Sequence, residues 1–511
     1  MSKSNYKADY VVIGAGSSGT VVVRRLIDAG HSVILLEAGP VDDSEAIHDP
    51  LGSIGLWNSP YNWAFETVPQ RFANERILVQ PRGKTLGGSS SFNGMVAVRG
   101  VKQDYDQWSQ LGAHGWDWDS VEPYFRKLED FEGGNKNGRG VGGPLHIQIN
   151  HSPNELIKDW VLAAQQAGFT YNEDYNSGDI SGVSFTQHTI LKHRRQSSWV
   201  AYGREIENHP NLTIFTSAHV TSLIFNGTRV VGVNFVKDKQ VQSVFSVLAD
   251  KEVILSAGVF GTPQILMLSG IGDADELQKL DIAVKVNLPG VGKNLQEHIS
   301  SAFIWETNDV PPAPTQQGLE AHIFAKTREG LLVPDVQPIL MSFVYTFIGG
   351  EMPANGFSTV SQIIHPLSRG HVSIRSLNPL DAPLIDLNVL SEPDDLEVLV
   401  NNMFMIREIG HQAALQKWIK REVQPGDQIR TREAMGDFVR NTVVSGHHQV
   451  GTSRMGLDNM SVVDPQLKVH GVEGLRVVDA SIMPTLPTGN TNIPAIMIGE
   501  KASDIILNKK K

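Results

Sequence analysis

Cysteine is absent from all 511 residues, which removes disulfides, thiolate metal sites, cysteine nucleophiles and cysteinyl cofactor links together. Also missing is any apolar run near the ~18 residues that a membrane span needs. The polar stretch Met1–Ala8 leads directly into the strand-like Asp9-Tyr10-Val11-Val12-Ile13, with no apolar region of a secretory signal. The closing Lys509-Lys510-Lys511 matches no retention or peroxisomal address and reads as a solvated end. A cytoplasmic protein without a membrane span is expected. Positive charge is in deficit: a formal net charge of -11 lacks the field that nucleic acid or an anionic membrane requires, so a small molecule is the easier partner. Zinc-type ligand spacing is missing too, because the adjacent His447 and His448 are poorly placed to chelate one ion, and no metal is expected. No heptad pattern or interface stripe specifies an oligomeric state.

What is present is ample apolar material, 41% of a chain too long for one ordinary domain, so two packed domains are expected. The opening reads as a βαβ unit: a buried strand over Tyr10–Ile13, a glycine turn, a helix from Ser18 to Ala29 and a strand over Ser32–Leu36. β-Branched Thr20-Val21-Val22-Val23 is poor helix sequence, but such residues pack well against a parallel sheet. Residues 41–150 read as extended loops with one short helix at Val121–Leu128. Asn226-Gly227 separates Ser222–Phe225 from Arg229–Phe235 and predicts a hairpin, followed by a strand over Glu252–Ser256. Alternating segments such as Thr359–Ile364 and His371–Arg375 predict an antiparallel sheet with helices on one side. Leu475–Asp479 and Pro494–Leu507 read as a strand and helix that rejoin the first domain. The fold class is thus α/β plus α+β.

Gly14-Ala15-Gly16-Ser17-Ser18-Gly19 follows a strand and opens a helix, the context in which such a run binds a dinucleotide. Gly14 permits the tight turn, Gly16 admits a pyrophosphate, and Gly19 allows close helix–strand packing, while the helix amides favour the anion. Glu37, 18 residues beyond Gly19, suits a ribose diol and would repel a 2′-phosphate. This motif alone does not separate NAD from FAD. A second run of small residues, Arg82-Gly83-Lys84-Thr85-Leu86-Gly87-Gly88-Ser89-Ser90-Ser91-Phe92-Asn93-Gly94, offers amides on which a large flat ligand can lie.

Taken with Ser256-Ala257-Gly258, Thr262–Gly272, Gly290–His298, His448–Thr452 and Gly489–Glu500, these segments resemble, in order and from first strand to last helix, the glucose–methanol–choline family of FAD oxidoreductases. The resemblance implies a Rossmann-like FAD domain assembled from 1–150, 205–298 and 445–511, with an antiparallel-sheet substrate domain from 151–204 and 299–444. It also implies FAD contacts at Gly14, Gly16, Ser18, Gly19, Glu37, Ala38, Arg82, Gly88, Ser89, Asn93, Val220, Ala257, Asp479, Ala480, Asn490, Asn492 and Ile493. Phe92 stands where some members carry a flavin-linked histidine, so a non-covalent FAD is expected. Val259 departs from a usually small residue, a minor change.

Oxidising an alcohol removes a hydroxyl proton and a hydride, so the site needs a base near neutral pKa, and histidine suits that task. If Ser445–Val450 is extended, His447 and His448 point to opposite faces and only one meets the substrate. By family position His448 is the base and His447 supports it. Asn492 is read as the second catalytic residue, holding the substrate oxygen, or as the cap of a helix beginning at Ile493, or as both. His298 is read as structural or flavin-proximal, His365 and His371 as ordinary strand residues. The cluster Trp57, Trp63, Trp116 and Trp118 is read as core more readily than as pocket. The expected substrate is a small primary alcohol on an aromatic or heteroaromatic, pyridoxine-like ring, with oxygen as the electron acceptor. Choline with a quinone-like acceptor, and a hydroxynitrile lyase that keeps FAD without its redox chemistry, are the alternatives that the motifs leave open.

Overall fold

The computed structural model describes residues 6–240 and 242–508; most of the polar leader and the terminal lysines lie outside the described residues. Strand β1 (Tyr6–Ile13) runs into helix α1 (Gly19–Asp28) and returns as β2 (Val33–Leu36), parallel to β1. The turn between them depends on Gly14 at φ 95°, where a Cβ would stand 2.3 Å from the Ser256 carbonyl oxygen. Val21, Val22 and Val23 are wholly buried, so packing on the sheet overrides their weak helix propensity. Strand β3 (Val244–Leu255) pairs parallel with β1 on one side and, near its end, with β4 (Leu475–Val477) on the other. Leu212–Phe215 extends this sheet beside β2, and the hairpin Ala218–Asn226/Arg229–Lys237 joins antiparallel to β3. Gly227 turns the hairpin at φ 62°, as its sequence predicts.

A second sheet is antiparallel throughout, in the order Ile419–Gln424, Ile299–Thr307, Gly356–Gln362, Ile339–Met341, Leu319–Phe324, Gly182–Phe185. Strand alternation assigns its two faces. Phe303 and Trp305 join the core under helix Pro393–Gly410, with Leu399, Met403 and Ile406. Ala302 and Ile304 turn the other way, toward Tyr345 and Val360. That second face looks onto the cavity described below.

Three local expectations are corrected. His371–Ser373 leaves the large sheet and pairs only with Leu384–Asp386. The short helix starts earlier, at Trp118, because Asp117 caps it by accepting from the Ser120 amide at 3.1 Å. Lys102–Gln110 is a helix in the stretch expected to be loop. Its buried Asp104 accepts from the Val101 amide at 2.9 Å and the Thr488 amide at 2.7 Å, a tertiary tie that low periodicity conceals.

Candidate active site

Both domains contribute to one cavity of about 400 Å³. The carboxyl ends of β1 and β3 supply Gly14, Gly16, Ser18, Ala257 and Gly258, the small-residue run supplies Arg82, Gly88, Ser89 and Asn93, and β2 leads to Glu37 and Ala38. Val220, Asp479, Ala480, Asn490 and Asn492 complete the expected cofactor contacts on the wall. Gly19 and Ile493 are not on it. Gly19 packs behind Gly14, where a Cβ would meet the Gly14 carbonyl oxygen at 2.1 Å, and Ile493 is buried in the core.

The wall fits a dinucleotide. A Cβ on Gly16 or on Gly258 would meet no protein atom within 4 Å, so the backbone there opens on space that a ligand can take. No acidic residue stands in the first turn of α1 to oppose a phosphate. Glu37 is already engaged, its two oxygens accepting from the Ala15 amide at 2.9 Å and the Gly39 amide at 2.8 Å. A ribose would therefore share this carboxylate with the backbone. Asp479 likewise accepts from the Gly258 amide at 2.9 Å and from Thr262 Oγ1 at 2.6 Å, tying the start of helix α2 (Gly258–Leu268) to the end of β4.

The chemistry-bearing end is the turn Ser445–Gln449. His447 takes φ 67°, so the segment is not extended and the rule of opposite faces fails: His447 and His448 both line the cavity. A buried carboxylate holds the turn. Glu297 accepts from the His448 amide at 2.8 Å and also binds the Ser445 hydroxyl and the Gln449 side-chain amide. Arg82 closes the other side, donating to the His447 carbonyl at 2.8 Å. Burial pushes Glu297 up to about 7 against the pull of Ser445, the His448 amide and Arg82. Burial, then His447 and Arg82, pushes His448 down to about 3, below the near-neutral value expected of a base, so its imidazole is neutral near pH 7.

The partner of His448 is Asn490, not Asn492. Asn490 Nδ2 lies 3.0 Å from His448 Nε2, whereas Asn492 accepts from Ser17 Oγ at 2.7 Å and begins helix α3 (Asn492–Ile506). The two asparagines sit one turn residue apart, and the helix start consumes the second. His298, read as structural or flavin-proximal, meets His448 Nδ1 with its own Nδ1 at 3.1 Å. Glu297 and His298 stand within the Gly290–His298 motif, and their residue types are the only signal in the sequence for their contacts with His448. His365 binds Thr488 Oγ1 at 3.1 Å. The tryptophans divide: Trp57 and Trp63 line the cavity, and Trp116 is buried in the first core with Trp118 packed against it.

Around the histidines the wall is apolar. Phe92, Leu319, Ile339, Met341, Phe343, Tyr345 and Phe347 face the space, and Trp57 stacks on Phe347 at 4.2 Å and meets His447 edge-on at 5.3 Å. Among the described residues the charged side chains on the wall are Glu37, Arg82 and Asp479, and both carboxylates take backbone amides. No group of three or more His, Cys, Asp or Glu among them is arranged to hold a metal ion, and no helix is long and apolar enough to cross a membrane.

These buried histidines make stability depend on pH. Burial lowers His188 and His219 to about 4 and His322, His447 and His448 to about 3. The unfolded chain therefore binds more protons than the folded one below about pH 6.5. Stability is fully present above that value and falls with pH toward 4, by about 1.4 kcal/mol per unit for each histidine. Glu297, raised to about 7, acts oppositely, as do Glu37, Asp42, Asp104 and Asp479, which burial also raises, while His298, lowered too, adds to the five histidines. The thermal midpoint is expected to drop steeply between pH 6.5 and 5; a flat profile there would contradict these burials.

Comparison with known proteins supports the same chemistry. Two family models, both described as GMC oxidoreductase, match residues 8–300 and 366–499. The chain is 40% identical to an alcohol dehydrogenase (acceptor) of Pseudomonas putida, over 98% of this chain and 96% of that protein. It is 38% identical to the mitochondrial choline dehydrogenase of Mus musculus, over 97% and 89%. The solved structure of pyridoxine 4-oxidase from Mesorbium loti superposes with a TM-score of 0.93 at 30% identity, covering 98% of this chain and all of that one. The chain belongs to the GMC oxidoreductases and is an FAD-dependent enzyme that acts on alcohols.

Proposed function

We propose that the protein oxidises a small, uncharged primary alcohol carried on an aromatic or heteroaromatic ring to its aldehyde, with non-covalent FAD and oxygen as the final acceptor. The observation that carries the substrate class is the wall beside His448: stacked Trp57 and Phe347 with Tyr345 and Phe343, and no carboxylate among them. Such a wall buries a flat ring; it has aromatic faces but no carboxylate for a quaternary ammonium, and the buried Arg82 nearby opposes a cation. FAD held along Gly14, Gly16, Arg82, Gly88 and Ala480 would supply the hydride acceptor for the alcohol carbon. His448 Nε2 takes the hydroxyl proton. Asn490 Nδ2 donates to that nitrogen at 3.0 Å; an entering alcohol oxygen would take over this hydrogen, be held in line by it, and leave the Nε2 lone pair to the hydroxyl proton. The positive end of α3 lies beside this pair and favours negative charge there.

Oxygen as acceptor and the pyridoxine-like ring are supported by the likeness to pyridoxine 4-oxidase. The curated relatives named for choline favour a second reading, choline oxidation, in which the same aromatic faces would receive the cation without a carboxylate beside them. Steady-state assays decide between them. The specificity constant for a benzyl- or pyridoxine-type alcohol should exceed that for choline by about 100-fold. Trp57→Ala should then lower it about 10-fold, mainly through KM. Choline turned over as well as any ring-bearing alcohol would overturn the substrate class.

A further inference from the structure

Asparagine presents an oxygen or an NH2 of almost the same shape, and only its partners decide which end faces His448. In this protein the deciding partner lies behind Asn490. Gln337 is fully buried, one residue before Pro338 and the strand Ile339–Met341. Its Nε2 is 3.4 Å from Asn490 Oδ1 and 3.4 Å from His322 Nδ1, while its Oε1 accepts from Gln362 Nε2 at 3.0 Å. The backbone pins it as well, because its amide donates to the Gln362 carbonyl at 2.8 Å.

The chain of amides has one direction. Gln362 gives a hydrogen to Gln337, Gln337 gives one to Asn490, and Asn490 gives one to His448 Nε2. That nitrogen must then be the acceptor of the ring, with the proton on Nδ1, where His298 Nδ1 lies 3.1 Å away to accept it. Reversing the chain would turn Asn490 Oδ1 toward Nε2, which would need a hydrogen there, and a base that already carries its proton takes no other.

We propose that Gln337 is a positioning residue for the oxidation: its side-chain NH2 fixes the amide of Asn490 and so keeps His448 Nε2 unprotonated to receive the hydroxyl proton of the alcohol. The inference rests on His448 being the base and goes beyond it by naming what sets the tautomer. No bond to carbon is made or broken by Gln337; it touches neither substrate nor reacting atoms.

The test is the rate of flavin reduction by alcohol in the holoenzyme, measured by stopped flow between pH 5.5 and 9, for Gln337→Glu, Gln337→Met and His448→Ala. The ionisable groups along the chain are His322, with His188 coupled to it, and His448, with His447, His298 and Arg82 around it. Asp335, two residues away, is bound to Thr327. In Gln337→Glu the ionised carboxylate can only accept, so it reverses Asn490; burial raises its pKa, and once protonated it donates again.

Gln337→Glu should reduce its flavin about 30-fold more slowly than the parent at pH 9 and recover as pH falls, with KM little changed. Gln337→Met can neither donate nor accept, and should lose about 10-fold evenly across the range. A structural role alone would produce no inverted pH profile. Equal losses in both variants at every pH, or parent rates in both, would overturn the proposal. Should the Gln337→Glu protein fail to retain FAD, parent rates in Gln337→Met still overturn it, and an even loss with unchanged KM supports it. A parent rate in His448→Ala would instead overturn the assignment of the base itself, which separates the two failures.

Discussion

His448→Ala should slow flavin reduction by about 1,000-fold, the contribution expected of a positioned general base, while the protein keeps its FAD. The geometry separates the two effects. The imidazole is the only part of His448 that meets Asn490 and His298, whereas Glu297 holds the residue through its backbone amide, which alanine retains. The turn, its φ of 67° at His447 and the bond from Arg82 should all survive. The loss should fall on kcat, with KM moved little, because on the proposed reading the substrate ring would rest on the stacked Trp57 and Phe347 rather than on the base. Reduction within about threefold of the parent would remove His448 from the chemistry.

Gly14→Ala and Gly16→Ala should fail in different ways, although the two glycines are one residue apart. At Gly14 the backbone is left-handed and a Cβ would stand 2.3 Å from a backbone oxygen, so the strand ends of β1 and β3 must separate. A cost of about 3 kcal/mol or more is expected, read as a large fall in thermal midpoint and poor recovery of holoenzyme. At Gly16 nothing of the protein obstructs a methyl group, which instead fills space over the cavity. That variant should keep the stability of the apoprotein and bind FAD at least about 10-fold more weakly. Parent stability in Gly14→Ala, or parent FAD affinity in Gly16→Ala, would contradict the placement of the cofactor on this turn.

The elements that declare themselves in the sequence are those whose local chemistry and tertiary role agree. The glycine run between two apolar strands, and Asn226-Gly227 between two alternating ones, need no distant partner to be read. The helix over Lys102–Gln110 is concealed because it is short and mostly polar, and beside Tyr105 and Trp108 its buried face includes Asp104, which is tied to residue 488. At the site, residue types are legible and arrangement is not. His448 follows from the chemistry and the motif together, but the motif is read as pointing to the second asparagine where it is the first that meets His448. Only the structure shows that Asn492 is spent on Ser17 at a helix start. The extended reading of Ser445–Val450 fails for a similar reason. Glu297 and Arg82, distant in sequence, hold His447 in a conformation that a chain segment read alone would not be assigned.

The most direct test is an anaerobic titration of the purified yellow protein with benzyl-, pyridoxine- and choline-type alcohols, followed by admission of air. Bleaching by a ring-bearing alcohol, little bleaching by choline and rapid return of colour in air are the predicted results. A flavin that no alcohol bleaches, in a protein that cleaves cyanohydrins, would contradict the account and assign the same base to a lyase.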